Sequence, residues 1–319
     1  ALAANKVKRQ VIASAQNQHE LALLENPDNK VASQLLEVTA FLHGQHALET
    51  PQPMVELSVT EHLDLQDVIG QSFAKRALEI AAAGGHNILF VGPPGTGKTM
   101  LASRLPTILP QLTIEEALEV AAVHSTCGAS VSQQGWRTPP FRSPHHSSSS
   151  VALVGGGSNP RPGDISLAHR GVLFLDEMTE FERKVLDSLR EPMESGNISI
   201  SRAAGKVNFP ANFQLVGALN PSPCGEVGEH SRSTPDQILK YLSKISGPFL
   251  DRFDLTIDVP RLPKGTMSDN TLGESSAAVR ERVNNAREIM LRRQQRPNAQ
   301  LSGKALASYC QLTEEDSQF

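Results

Sequence analysis

The chain has 319 residues, 39% of them apolar and 20% charged, which is ordinary for a globular protein and long enough for two domains. Thirty basic against 34 acidic residues leave a net charge of −4, so any contact with nucleic acid or an anionic membrane has to be local. Three scattered cysteines (Cys127, Cys224, Cys310) with no Cys-x-x-Cys pair argue against a disulfide framework and for a reducing cytoplasm. No stretch approaches the ~20 apolar residues of a membrane span.

Residues 1–48 mix short apolar runs (Val11-Ile12, Leu21 to Leu24) with a helical pattern from Val31 to Leu42. They are too few to close a core alone, and read as the end of a domain that begins upstream. Residues 49–63, with Pro51, Pro53 and scattered acids, read as a linker. A helix is predicted over roughly Ser72 to Ala83, ending at Gly84-Gly85 before a run of β-formers, Ile88 to Val91. A helical pattern opens at Lys98 through Leu105, and a second α/β stretch follows as far as His124. From Thr126 to His169 the chain is rich in Ser, Gly, Pro and His, a long irregular loop of the kind that is usually functional or disordered. Residues 171–177, Gly-Val-Leu-Phe-Leu-Asp-Glu, have the pattern of a buried parallel strand that delivers acids to its C-terminal edge. A helix is predicted from Phe181 to Met193, and a hairpin from Ile198 to Arg202 and Lys206 to Phe209. A further buried strand follows over Phe213 to Leu219, then a helix from about Pro235 to Ile245 and a last strand over Leu255 to Val259. The basic helix beyond it has six arginines against two glutamates from Val279 to Arg296, and reads as a solvated face.

The chemistry starts at residues 92–99, Gly-Pro-Pro-Gly-Thr-Gly-Lys-Thr. They fit G-x-x-x-x-G-K-[ST] between a strand and a helix, the context that distinguishes a phosphate loop from a plain Gly-Pro turn. Glycines 92, 95 and 97 let backbone N–H groups face phosphate oxygens, and the helix opening at Lys98 and Met100 adds its positive end. Lys98 would reach the β- and γ-phosphates, and the Thr99 hydroxyl would bind Mg²⁺. Asp176 is assigned to the metal and Glu177 to the attacking water, since hydrolysis needs a carboxylate at each. Asn220, ending the next strand, could hold that water from the other side or be a turn residue before Pro221. Arg252, between apolar anchors in Phe-Leu-Asp-Arg-Phe-Asp, suits transition-state charge on a neighbouring subunit's phosphate and equally suits a surface ion pair with Asp251 or Asp254. Arg137, Arg142, Arg161 and Arg170 face only Asp164 in their loop, beside His145, His146 and His169. The hairpin carries Arg202 and Lys206 with no acid. Local charge of this kind suits tracking of phosphates without sequence reading, or is merely solvated. With only Trp136 and Phe141 to stack, base reading is not expected, and His145-His146 lack the partners of a metal site.

In order, GPPGTGKT (92–99), GVLFLDE (171–177), LVGALNPSP (215–223) and GPFLDRFDL (247–255) resemble the AAA+ ATPases of the magnesium-chelatase and MCM branch. PFRSPHHSSS (140–149), VGGG (154–157), PGDISLAHRGVLFLDEMTEF (162–181), LREPMESG (189–196) and NAQLSG (298–303) are similar to the ComM/YifB subfamily in particular. The resemblance implies an α/β fold: a P-loop AAA+ parallel sheet with a helix-2 insert over residues 143–169 and a pre-sensor-1 hairpin over 198–209. It also implies an ATPase core at 64–262, a partial helical lid at 263–319, and the end of a Lon-protease-like α/β domain at 1–48, with the sensor 2 arginine beyond Phe319. It further implies a hexameric ring with ATP and Mg²⁺ between subunits, Arg252 as arginine finger and Asn220 as sensor 1. The adenine-side loop would be Val68, Ile69 and Gly70, and the phosphate loop runs Gly92, Pro93, Pro94, Gly95, Thr96, Gly97, Lys98, Thr99 and Met100. The expected activity is that of a cytoplasmic helicase driving branch migration on single-stranded and branched DNA in transformation and recombination. Arg142, His145, His146, Arg202 and Lys206 would touch DNA, a recombinase or loader is a further partner class, and no membrane is involved. The rival is a chelatase- or chaperone-type module that remodels a protein; a third, a Lon-like protease, needs a Ser-Lys dyad that these residues do not contain. Many relatives carry several cysteines in the loop after sensor 1, whereas only Cys224 stands here, which argues against zinc.

Overall fold

In the computed structural model the described residues are 1–52, 63–128, 137–157, 160–202, 205–226, 231–263, 265 and 273–311, without the side chains of Leu2, Ser201 and Arg202. Trp136, most of the expected linker and the hairpin tip Ala203-Ala204 therefore lie outside the described residues. The chain forms two compact units, one of residues 1–61 and 112–138 and one of residues 62–111 and 139–319.

In the first unit, the short strands Ile12–Ser14 and Lys30–Ala32 pair in parallel. Leu21, Leu24 and Val31 form a small core on which Leu118 of the helix Ile114–Ser125 packs. That helix starts on a full capping box, the Thr113 hydroxyl taking the Glu116 N–H and the Glu116 carboxylate taking that of Thr113, so two orphan donors are satisfied at once.

The second unit is built on a five-stranded sheet of β1 (Ile88–Val91), β2 (Phe141–Arg142), β3 (Val172–Leu175), β4 (Gln214–Leu219) and β5 (Leu255–Asp258). Its order is β5-β1-β4-β3-β2 and every pairing is parallel. Parallel strands are covered on both faces, and the period-2 alternation divides the three central strands between two cores. Ile88, Phe90, Val172, Phe174, Val216 and Ala218 pack against helices α1 (Ser72–Gly84), α2 (Lys98–Ile108) and α5 (Ser276–Gln294). Leu89, Leu173, Leu175, Leu215 and Leu219 face the other way, onto Phe181, Leu186, Leu189 and Phe249. The hairpin Asn197–Arg202 and Gly205–Pro210 adds Ile198 to that second core. This is the P-loop AAA+ architecture.

Three stretches differ from their sequence patterns. The predicted helix Phe181 to Met193 is two short helices, Arg183–Asp187 and α3 (Arg190–Ser195). Pro192 has no N–H to offer the turn before it, and the Ser188 hydroxyl bonds back to the Val185 carbonyl. The expected irregular loop contains β2 and the helices Ser150–Val154 and Asp164–Leu167. Ser149 caps the first of these helices through the Ala152 N–H, so a serine run that reads as low complexity supplies a helix start. The arginine-rich helix α5 is not a merely solvated face. Arg280 donates to the Thr107 carbonyl, Arg287 to those of Ala82 and Ala83, and Arg282 pairs with Glu79 and Glu274.

Candidate nucleotide site at the C-terminal edge of the sheet

The strands β1, β3 and β4 end side by side, with Leu219 opposite Val91 and Gly217 opposite Leu175. Whatever follows each strand in sequence is thereby brought to one edge: the phosphate loop after Val91, Asp176-Glu177 after Leu175, and Asn220 after Leu219. Open parallel sheets place their ligand sites outside this edge.

Gly92 passes so close to β5 that a Cβ would lie 2.2 Å from the Val259 carbonyl oxygen, which excludes any side chain there. Gly95 and Gly97 have φ of +77° and +92° with open space on the Cβ side, leaving the loop's inner face to backbone alone. Thr96 braces the loop by donating to the Pro93 carbonyl at 3.0 Å. Lys98, buried at the helix start, donates from Nζ to the carbonyls of Gly92 (2.6 Å) and Pro93 (2.9 Å) and to Asn220 Oδ1 (3.1 Å). Burial pushes its ammonium below the usual lysine range, and the carboxylates of Asp176 and Glu177 oppose that shift.

Thr99 donates its hydroxyl to Asp176 Oδ2 at 2.6 Å, and Asp176 Oδ1 accepts the Glu177 N–H at 2.9 Å. Two hard oxygen donors meeting beside a phosphate cradle fit Mg²⁺, which takes one or two protein oxygens and completes its shell with phosphate and water. Among the described residues no group of three or more His, Cys, Asp and Glu side chains is placed to hold a metal ion. Glu177 is exposed and sits at φ +49°, ψ +49°, a left-handed conformation that turns the chain sharply after β3.

The remaining expected site residues fall in different places. Val68 is buried, Ile69 partly buried and Gly70 exposed at φ +63°. Their link to the phosphate loop is Gln71, which the sequence reading passed over: its Nε2 donates to the carbonyls of Thr96 (3.2 Å) and Pro260 (2.8 Å). No local motif flags it, since both partners are distant in sequence. Met100 is 44% exposed just inside α2. Arg252 precedes β5 and so stands at the opposite edge of the sheet. Its partner is Glu194 of α3, and neither Asp251 nor Asp254 holds it; Asp254 instead accepts the Asn87 N–H at 2.8 Å. Arg142 is half-buried with Nε 3.8 Å from Asp164. His145 Nδ1 lies 2.7 Å from the Ser147 hydroxyl. His146 Nδ1 lies 3.5 Å from Glu177 Oε2, in the nucleotide site itself. Lys206 is exposed on its hairpin strand, and the side chain of Arg202 lies outside the described residues. Among those residues no helix is long and apolar enough to cross a membrane.

Residues 64–267 match the family of magnesium chelatase, subunit ChlI, and residues 273–319 match the ChlI C-terminal family. The chain is 54% identical over 314 residues to the uncharacterized protein YifB of Escherichia coli, covering 98% of this chain and 62% of that protein. It is 53% identical over 325 residues to the competence protein ComM of Haemophilus influenzae, covering all of this chain and 64% of the relative. The magnesium-chelatase 67 kDa subunit of Heliobacterium mobile is 30% identical over 218 residues, which is 59% of this chain and 32% of that subunit. The chain thus spans a little under two thirds of the length of YifB and ComM. With the phosphate loop, the strand-end acids and the sheet order all in place, the chain belongs to the magnesium-chelatase ChlI family of AAA+ proteins, in its ComM/YifB subfamily.

Proposed function

We propose that the chain carries the ATP-hydrolysing part of a ring-forming motor that moves DNA. The observation that carries the hydrolytic half is the meeting at one sheet edge of Lys98, the Thr99–Asp176 oxygen pair, Glu177 and Asn220. Lys98 holds the β- and γ-phosphates once it leaves the loop carbonyls. Thr99 and Asp176 hold Mg²⁺, which when bound neutralises charge on the transferred phosphoryl group. Glu177 takes the proton of the attacking water, and the Asn220 amide steadies that water from the neighbouring strand. Arg252 belongs to the opposite edge. A four-residue strand such as β5 is about 13 Å long, so this guanidinium serves the nucleotide of an adjoining copy. Repetition of that head-to-tail contact closes a ring, which we take to be a homohexamer.

The DNA half is supported by the relationship to a protein called competence protein ComM and by the exposed Lys206 on a hairpin that carries Arg202 and no acid. In this function the hairpins pull the phosphate backbone through the ring and drive branch migration. The test measures the ATPase rate of the full-length protein alone, with single-stranded DNA and with a branched junction, together with strand exchange on that junction. Stimulation by DNA with ATP-dependent migration, abolished by Arg202→Ala plus Lys206→Ala, is expected. The relationship to a magnesium-chelatase subunit favours a second reading, a machine that remodels a protein partner. A rate indifferent to every DNA, with no migration, selects it.

A further inference from the structure

We infer that Asn87 is the positioning residue of Arg252: from the start of β1 its side-chain amide holds the arginine's main chain and fixes the point from which the guanidinium reaches out. The assignment rests on the action on a neighbouring copy's nucleotide proposed for Arg252.

Asn87 precedes β1, the strand flanked by β5 and β4, and so stands at the edge of the sheet opposite the phosphate loop. There it ties both neighbours together. Its Nδ2 donates to the Arg252 carbonyl at 2.8 Å, while its Oδ1 accepts the Leu215 N–H at 2.8 Å. Its own N–H goes to Asp254 Oδ2 at 2.8 Å, and its carbonyl accepts the N–H groups of Asp254 (3.0 Å) and Leu255 (3.1 Å). A carbonyl can only accept and a main-chain N–H can only donate, so the two side-chain partners settle which way the amide faces. The site needs an amide. It supplies donor and acceptor on separate atoms, where an aspartate offers acceptors alone.

The rest of the frame around Arg252 is equally firm. Its N–H donates to the Phe249 carbonyl at 3.1 Å, and the buried rings of Phe249 and Phe253 meet edge to face with centroids 5.8 Å apart. The guanidinium is held differently. It rests on the exposed Glu194, and its buried Nε has no hydrogen-bond partner among the described residues. A main chain fixed on every side, with a side chain resting on one exposed carboxylate, suits a group that exchanges that carboxylate for the phosphate of another chain. Placement of a reacting group to within an ångström is worth on the order of 10²-fold in rate, so the Asn87 bond to the Arg252 carbonyl can be read kinetically. Asn87 opens the strand that leads to its own chain's phosphate loop, yet the nucleotide it serves is the neighbour's.

The test uses the full-length protein, without DNA, as wild type, Asn87→Ala, Asn87→Asp and Arg252→Ala, each also mixed with Lys98→Ala. Asn87→Asp keeps an oxygen for the Leu215 N–H and loses the donor to Arg252, and it carries the test alone if Asn87→Ala does not fold. Expected in both Asn87 variants is a fall in kcat on the order of 10- to 100-fold, with ATP binding by calorimetry unchanged. Mixing with Lys98→Ala is expected to restore part of the rate, as for Arg252→Ala, because the Lys98→Ala chain brings a well-placed arginine to the other chain's intact nucleotide site. An Asn87→Asp rate within twofold of wild type overturns the assignment. Loss of ATP binding in Asn87→Asp overturns it too, by putting the fault in the chain's own phosphate loop. Rescue of Arg252→Ala without rescue of the Asn87 variants overturns the role of Asn87 alone. An Arg252→Ala protein that Lys98→Ala does not rescue, or that turns over at the wild-type rate, overturns the action of Arg252 across the interface and the assignment with it, so the two failures are distinct.

Discussion

Lys98 donates to two loop carbonyls and to Asn220, so one side chain ties the phosphate loop to the end of β4. Lys98→Ala removes the buried cation at the phosphate loop, and ATP binding measured by calorimetry is expected to disappear. Glu177→Gln keeps the size and loses the base: ATP binding should stay near wild type while kcat falls about 10²- to 10⁴-fold. Retained turnover in that variant would remove Glu177 from the role of base. Cys224 offers a second residue-scale test. The Ser222 hydroxyl first, then Ser233, Ser231 and the Glu226 backbone, bring its thiol down to about 5. An exposed thiol so lowered is mostly thiolate at pH 7. Iodoacetamide at pH 7 should therefore alkylate Cys224 before Cys127 or Cys310, as read by peptide mass spectrometry, and the preference should fade when the pH is taken below 5.

At the scale of elements, helix α5 is joined to α2 through Ser276, its first residue. Ser276 Oγ accepts the Leu65 N–H at 2.7 Å and lies 2.7 Å from the Thr107 hydroxyl, while its own N–H goes to Asp64 at 2.8 Å. Ser276→Ala leaves the Leu65 N–H buried without its partner and should lower unfolding stability by about 1–3 kcal/mol in urea titration. Arg280 reinforces the same join at the Thr107 carbonyl, which follows Pro106 within α2. Farther along, Arg282 holds the Glu79 carboxyl below its usual range, assisted by Arg76 and opposed by burial. A carboxylate with a depressed folded-state pKa contributes stability that is present above its unfolded value and lost as pH falls through the folded one. The stability difference between wild type and Glu79→Gln should thus be full at neutral pH and shrink only on acidification below the ordinary glutamate range.

On the whole-molecule scale, Arg252 and the phosphate loop occupy opposite ends of the paired strands β5 and β1, whose register matches Leu255 with Ile88 and Asp258 with Val91. In a lone chain Arg252 rests on Glu194. If it acts on a neighbour's nucleotide, Arg252→Ala should bind ATP and fail to hydrolyse it. Mixing it with Lys98→Ala should then restore part of the activity, since an interface with Lys98 from one chain and Arg252 from the other is complete. Titration of the two variants against each other checks this, and no recovery at any ratio would place the action of Arg252 within its own chain.

Local order was legible in the residues themselves. A glycine-rich loop between β-formers and a helix, acids ending an apolar run, and an Asn ending another each depend on spacing along the chain, and each lies where its pattern put it. Positions set by contacts distant in sequence were not legible. Gln71 reaches the phosphate loop across 25 residues, the partner of Arg252 comes from α3, and the arginines of α5 find carbonyls and an acid of α1 and α2 between 173 and 205 residues away. The short strand β2 was hidden because two residues carry no periodicity; its place is decided by pairing with β3. That pairing also took His146 from a loop that reads as a basic surface to the carboxylate of Glu177. Sequence by itself determined which groups stand at the ends of the strands, because a strand and its following turn are local. Only the tertiary structure decided which of those ends are neighbours, because sheet order is set by the burial of both faces and by pairings between strands far apart in the chain.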